Sequence, residues 1–188
     1  MVATLVQTEL LPTDLQTVEE FDNWQRQHVS EGIFEFIDGK IIHKEAMKQD
    51  EAFIANFLLR LFIQTHAFKN GDMLLPESDS YVSETRKRVP DLTYFTAEEI
   101  QLMRQKVRVK SKFAIEILSD SETFEDVLEK VQDYFDAGGL LVWYIVPKQQ
   151  KIYVYTNPDE SKGYKGNEVI SAAPLLPDFQ FEVSNMFS

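Results

Sequence analysis

The sequence predicts an α/β fold with a mixed central sheet flanked by helices and an extra N-terminal hairpin. Three observations carry that prediction. KFAIEILS at 112–119 and LLVWYIV at 140–146 are apolar strands separated by a helical stretch, which makes a βαβ unit with parallel strands and a right-handed crossover. FEFID and KIIH flank Asp38-Gly39, a dipeptide suited to the positive φ angles of a tight antiparallel hairpin over residues 33–43. Phe53, Ile54, Phe57, Leu58, Leu61 and Phe62 recur at spacings of three and four, the period of a core-facing helix.

The elements follow in order. Thr17 and Glu20 form a Thr-x-x-Glu capping box ahead of Phe21 and Trp24, which starts a helix over 17–28. Residues 1–30 therefore read as an N-terminal extension with a helix, and 31–188 as a single domain. The long helix runs from Asp50 to Phe68, with Asn70-Gly71 as its stop. Extended segments follow at 73–83 and 89–95, and Thr96-x-x-Glu99 opens a short helix. In the crossover helix Phe124, Val127, Leu128, Val131 and Phe135 mark the apolar face, and Gly138-Gly139 ends it. IYVYT is the hairpin partner of the strand before it. Polar residues 157–167 read as a mobile loop, and short strands near 168–172 and 179–183 complete the chain.

A chain of 188 residues can bury roughly two-thirds of its unfolded surface around one core. No apolar run approaches the roughly 18 residues needed to cross a bilayer, and the N-terminus has no signal-peptide pattern, so a cytoplasmic protein without membrane contact is expected. The absence of cysteine excludes disulfides, thiolate nucleophiles and cysteine-bound zinc. His28, His43 and His66 lack zinc-ligand spacing, and there is no Walker A loop, G-x-G-x-x-G turn or G-x-S-x-G elbow. A net charge of −12 opposes non-specific adsorption to nucleic acid. Residues 84–112, however, hold eight basic residues against four acidic ones, and so predict a local basic surface.

Glu116 is the chemical anomaly. It lies in a strand whose two faces both read as apolar, where a carboxylate must be paired, protonated or bound to a cation. A structural ion pair is the alternative to a metal site. Asp91 follows Pro90 at the start of DLTYF; alone it reads as a turn residue, but beside Glu116 it makes a hard-oxygen pair of the kind Mg²⁺ takes. Lys130 shares a helical stripe with Asp126 and Tyr134, beside the apolar face. It can reach into a cleft, snorkel, or pair at the surface with Asp126. Glu35 occupies the polar side of an alternating strand.

The ordered set FEFIDG, RVPDLTYF, KFAIEILSDS, D-x-x-x-K-x-x-x-Y-x-x-x-G, LVWYIVP and LLPDFQFEV resembles the Uma-two branch of the PD-(D/E)xK restriction-endonuclease-like superfamily, over residues from about 33 to 185. The resemblance implies a restriction-endonuclease-like sheet and a metal-dependent endonuclease acting on DNA. Asp91, Glu116 and the main-chain carbonyl of Ile117 would hold Mg²⁺ or Mn²⁺. The lysine of the generic motif would fall at Leu118; in this branch its role passes to Lys130, with Asp126 orienting it and Tyr134 packing against it. Glu35 would hold a second ion or a metal-bound water. Glu51 stands where many relatives carry histidine. Arg86, Lys87, Arg88 and the 104–112 segment would grip the nucleic-acid backbone, and a homodimer fits the apolar surface expected on the long helix. The alternatives are a non-catalytic binding or assembly module on the same fold, and a hydrolase of smaller phosphoesters.

Overall fold

A computed structural model describes residues 11–28, 32–119 and 122–188. The first element, α1 (Val18–Gln25), is capped by Thr17 and Glu20 in the reciprocal arrangement the sequence predicts. Strands β1 (Ile33–Ile37) and β2 (Lys40–Lys44) pair antiparallel around Asp38 and Gly39, both at positive φ. The hairpin does not stand alone. After α2 (Gln49–Phe62), the short α3 (His66–Lys69) and β3 (Met73–Pro76), the chain forms β4 (Ser80–Tyr81) and β5 (Arg86–Arg88). These extend the hairpin into a sheet of order β2-β1-β5-β4. Strand β5 is absent from the sequence reading, which took its three basic residues for surface. The sheet is covered by α1, where Phe21 stacks on Phe36 with ring centroids 5.1 Å apart.

The main sheet adds β6 (Leu92–Phe95), then, after α4 (Ala97–Arg104), β7 (Phe113–Ile117). Helix α5 (Phe124–Asp136) crosses to β8 (Leu141–Val146), which runs parallel to β7, and β9 (Lys151–Tyr155) and β10 (Ser161–Lys165) continue antiparallel. The order is β10-β9-β8-β7-β6-β3. Residues 157–167, expected to be a mobile loop, thus include a paired strand. Its polar side chains suit an edge strand, which alternation of apolar residues does not reveal. A separate hairpin of β11 (Val169–Ala172) and β12 (Leu176–Glu182) closes the chain.

The side-chain period of two sorts β7 between two layers. Phe113, Ile115 and Ile117 join α2 and the C-terminal hairpin, where Trp143 stacks on Phe179 at 5.5 Å. Ala114 faces α5 with Val127, Val131 and Tyr134. Glu116 shares that face, and this arrangement places it between sheet and helix.

Two helical expectations are corrected. The predicted 50–68 helix breaks after Phe62, because Thr65 accepts a hydrogen bond from the Phe68 N–H and so caps a new turn. Phe53 is 62% exposed rather than core-facing. In α5 the buried face is Val127, Val131 and Tyr134, while Phe124 and Leu128 lie outward. Gly139 permits the turn out of α5, since a Cβ there would meet the Tyr134 carbonyl oxygen at 2.6 Å. Among the described residues no helix is long and apolar enough to cross a membrane.

Candidate active site

The start of β6 and the end of β7 meet at one cleft of about 290 Å³, which Glu35, Asp91, Glu116, Ile117 and Lys130 all line. Leu92 pairs with Ile115 across the antiparallel strands, so Asp91 and Glu116 are neighbours by register. The carboxylate of Asp91 accepts the Ile117 N–H on Oδ2 at 2.6 Å. Its Oδ1 faces the ammonium of Lys44 at 2.8 Å. Lys44 also donates to the Val89 carbonyl at 2.6 Å.

Glu116 is 2% exposed and accepts a short hydrogen bond from the Tyr134 hydroxyl. Burial pushes its carboxyl up to about 7; Lys130 and Lys44 oppose the shift, and Asp91 and Glu35 reinforce it. Burial in turn depresses the ammoniums of Lys44 and Lys130, but the surrounding carboxylates outweigh it, with Glu116 foremost in each case, and both are held above the ordinary lysine value. The Tyr134 hydroxyl is raised by burial and by Glu116 beside it, so it remains a donor.

Lys130 sits 3.7 Å from Glu116 and 2.7 Å from Glu122. Glu122 also accepts from the Tyr144 hydroxyl at 3.0 Å and the Ser119 N–H at 3.0 Å. Burial pushes the Glu122 carboxyl up, yet the Lys130 charge and these donors bring it below its ordinary value. Asp126, expected to orient Lys130, is instead the third helical residue of a capping box with Thr123; Glu122 does the orienting. Thr123→Ala is accordingly expected to cost about 1 kcal/mol, read as a lower urea midpoint at unchanged m-value.

Glu35 uses both oxygens within the protein, accepting from Arg88 at 3.0 Å and from the Val89 N–H at 2.9 Å. Glu51 lines the cleft and accepts the Lys48 N–H at 2.7 Å, as a capping residue of α2. The expected phosphate grip is only partly available. Arg86 pairs with Asp38, Glu129 and Asp133; Lys87 is fully buried against Asp22 and Asp79; Arg88 pairs with Glu35 and Asp133. Arg104, Lys106 and Lys110 remain on the surface.

Lys44 and Glu122 are members of the site that the sequence reading missed. Both had a signal. Glu35 stands opposite Ile42, and strand alternation puts Lys44 on that same face. Ser119-x-x-Glu122 has the spacing of a capping box.

Hard-oxygen donors on two neighbouring strands suit a small divalent cation, which needs only one or two protein carboxylates beside water and substrate oxygens. Lys44 shows that the pair accepts positive charge. Among the described residues no three histidine, cysteine, aspartate or glutamate side chains form a metal cage, so the fit is to an open site and not to a closed structural one.

A family model described as "Putative restriction endonuclease", named Uma2, matches residues 18–184. A solved crystal structure of "a putative nuclease belonging to DUF820" from Anabaena variabilis ATCC 29413 superposes with a TM-score of 0.72 at 18% identity, covering 84% of this chain and 90% of that one. No curated protein matches. The structural likeness establishes a nuclease fold, and the family match, which takes in nearly the whole chain from α1 to the end of β12, establishes that this protein belongs to the Uma2 family.

Proposed function

We propose that the protein is a metal-dependent endonuclease that hydrolyses phosphodiester bonds of DNA at the Asp91–Glu116 cleft. Family and fold both support a nuclease-like function. The observation that carries the finer reading is Glu116, a carboxylate 2% exposed, set beside Asp91 in a cleft that also holds two ammoniums. Asp91, Glu116 and the Ile117 carbonyl would hold Mg²⁺ or Mn²⁺. Such an ion supplies Lewis acidity toward a phosphoryl oxygen and lowers the pKa of water.

The chain's own groups do the rest. The Ile117 N–H and the Tyr134 hydroxyl fix one oxygen each of Asp91 and Glu116, so both carboxylates are oriented before substrate arrives. Lys130, held by Glu122 at 2.7 Å, directs an N–H toward the attacking water and offsets negative charge as it develops. The carboxylates lining the cleft outnumber Lys44, Arg88 and Lys130, so phosphate is disfavoured there until a cation binds. With Arg86, Lys87 and Arg88 turned inward, and Arg108 and Lys112 paired with Asp22 and Glu99, Arg104, Lys106 and Lys110 are the side chains of the basic stretch left to meet the backbone.

The rival is a non-catalytic binding or assembly module on the nuclease fold, favoured by the net charge of −12 and by Lys44 already neutralising Asp91. Supercoiled and single-stranded DNA incubated with Mg²⁺ or Mn²⁺ distinguishes the two. Cleavage by the wild type and its loss in both Asp91→Ala and Glu116→Ala is expected; wild type and variants equally inert would overturn the nuclease reading.

A further inference from the structure

We propose that Lys44 is a tethered counter-ion, which holds the Asp91 side of the cleft and must be displaced when a divalent cation binds. The proposal rests on the metal reading of the cleft and adds a control on it that neither the sequence motif nor the fold assigns. With Asp91 Oδ2 committed to the Ile117 N–H at 2.6 Å, Oδ1 is the oxygen left for a ligand, and Lys44 takes it at 2.8 Å. An ion of Mg²⁺ size bonds oxygen at about 2.1 Å, so on the same Oδ1 the two cations would stand at most about 5 Å apart. At that separation in a site of low exposure, like charges repel strongly. The Lys44 and Asp91 side chains are only 12% and 8% exposed, and solvent screens them little.

The lysine is also placed to leave. Lys44 is the last residue of β2, an edge strand of its sheet. Its four-carbon stem can swing without breaking a strand hydrogen bond, and it lines the same cleft. It would give up the Val89 carbonyl and Asp91 Oδ1 together. A phosphate entering the cleft offers the released ammonium a new partner. Metal and substrate phosphate would then each favour the other's binding, as linkage requires.

The test is calorimetric titration of metal-stripped protein with Mn²⁺. Lys44→Met is expected to bind Mn²⁺ about tenfold tighter than wild type, the factor that about 1.4 kcal/mol of relieved competition gives. Lys44→Gln, which keeps a neutral donor of similar reach, should tighten binding in the same direction and serves if the methionine variant does not fold. A second readout is thermal: without metal, Lys44→Met should melt below wild type, and saturating Mn²⁺ should raise its Tm by more than it raises that of wild type. Equal Mn²⁺ affinity in wild type and both Lys44 variants, with binding lost in Asp91→Ala, would overturn the counter-ion and leave the metal site standing. Weaker binding in the Lys44 variants would overturn it too, by making the lysine a support of the site. No Mn²⁺ binding by any of these proteins would remove the metal reading and this proposal with it.

Discussion

Arg88→Met is expected to destabilise the protein by about 3–5 kcal/mol, the usual result of stripping one partner from a buried ion-pair network. Arg88 is 4% exposed and donates to Asp133 from Nε at 2.7 Å and to Glu35 from Nη1 at 3.0 Å. Both acceptors are themselves buried, at 3% and 4% exposure. Burial alone would lower the guanidinium, but Glu35 and Asp133 hold it above its ordinary value. Methionine would fill much of the volume and leave the two carboxylates facing each other's charge. Asp133 would keep Arg86 at 2.8 Å, and Glu35 would keep the Val89 N–H at 2.9 Å, so the loss is partial. The cost belongs to the stranded charges and not to the pair as such. Adding Glu35→Gln and Asp133→Asn to Arg88→Met should therefore recover a large part of it. Urea unfolding reads both results through the midpoint at constant m-value. A loss below about 1 kcal/mol, the range of exposed pairs, would show that solvent reaches the network.

The same network explains where sequence reasoning succeeded and where it stopped. Capping boxes at Thr17 and Thr96 and the Asp38-Gly39 turn are set by contacts within a few residues, the βαβ unit shows as strand, helix and strand in direct succession, and all are found. Arg86 to Arg88 misled because the groups that neutralise them are far away in the chain. Arg88 meets Asp133 across 45 residues and Glu35 across 53. A basic triplet shows its charge in the sequence but not its partners. Glu116 was legible because it breaks an apolar pattern on both sides, and Asp91 became legible only beside it. Lys44 was overlooked because a lysine ending an edge strand ordinarily points to water; hairpin register puts it on the Glu35 face, but its partners, the Val89 carbonyl and Asp91, lie 45 and 47 residues away in the chain. In α5 the apolar residues form one continuous stripe of about 120°, at roughly 100° per residue, and only its Tyr134–Val127–Val131 side packs, while Phe124 and Leu128 lie toward its outer edge, a distinction that periodicity alone does not make.

Glu116 should make the metal-free protein less stable as pH rises from about 5 to 7, against the trend of its other shifted carboxylates. Burial pushes its carboxyl up to about 7 in the folded chain, from an ordinary 4.5. Below 4.5 both folded and unfolded forms are protonated. Between 4.5 and 7 the unfolded chain loses the proton while the folded one keeps it, so rising pH favours unfolding across that window, by roughly a few kcal/mol in all. Above 7 the loss is complete. Asp38, Glu122 and Asp126 are shifted downward, so their contributions grow with pH below about 4.5 and are finished before this window opens. Glu116→Gln keeps an oxygen for the Tyr134 hydroxyl and removes the titration. Urea midpoints measured at pH 5, 6, 7 and 8 in the presence of a chelator should fall for wild type and stay level for the variant; parallel curves would mean that Glu116 ionises in the folded chain as freely as in water. Mn²⁺ added at pH 8 should return the lost stability to wild type, because it binds the folded, ionised carboxylate, and should return none to Glu116→Gln. The burial that makes the bare carboxylate costly is thus the same property that gives a cation its reason to bind there.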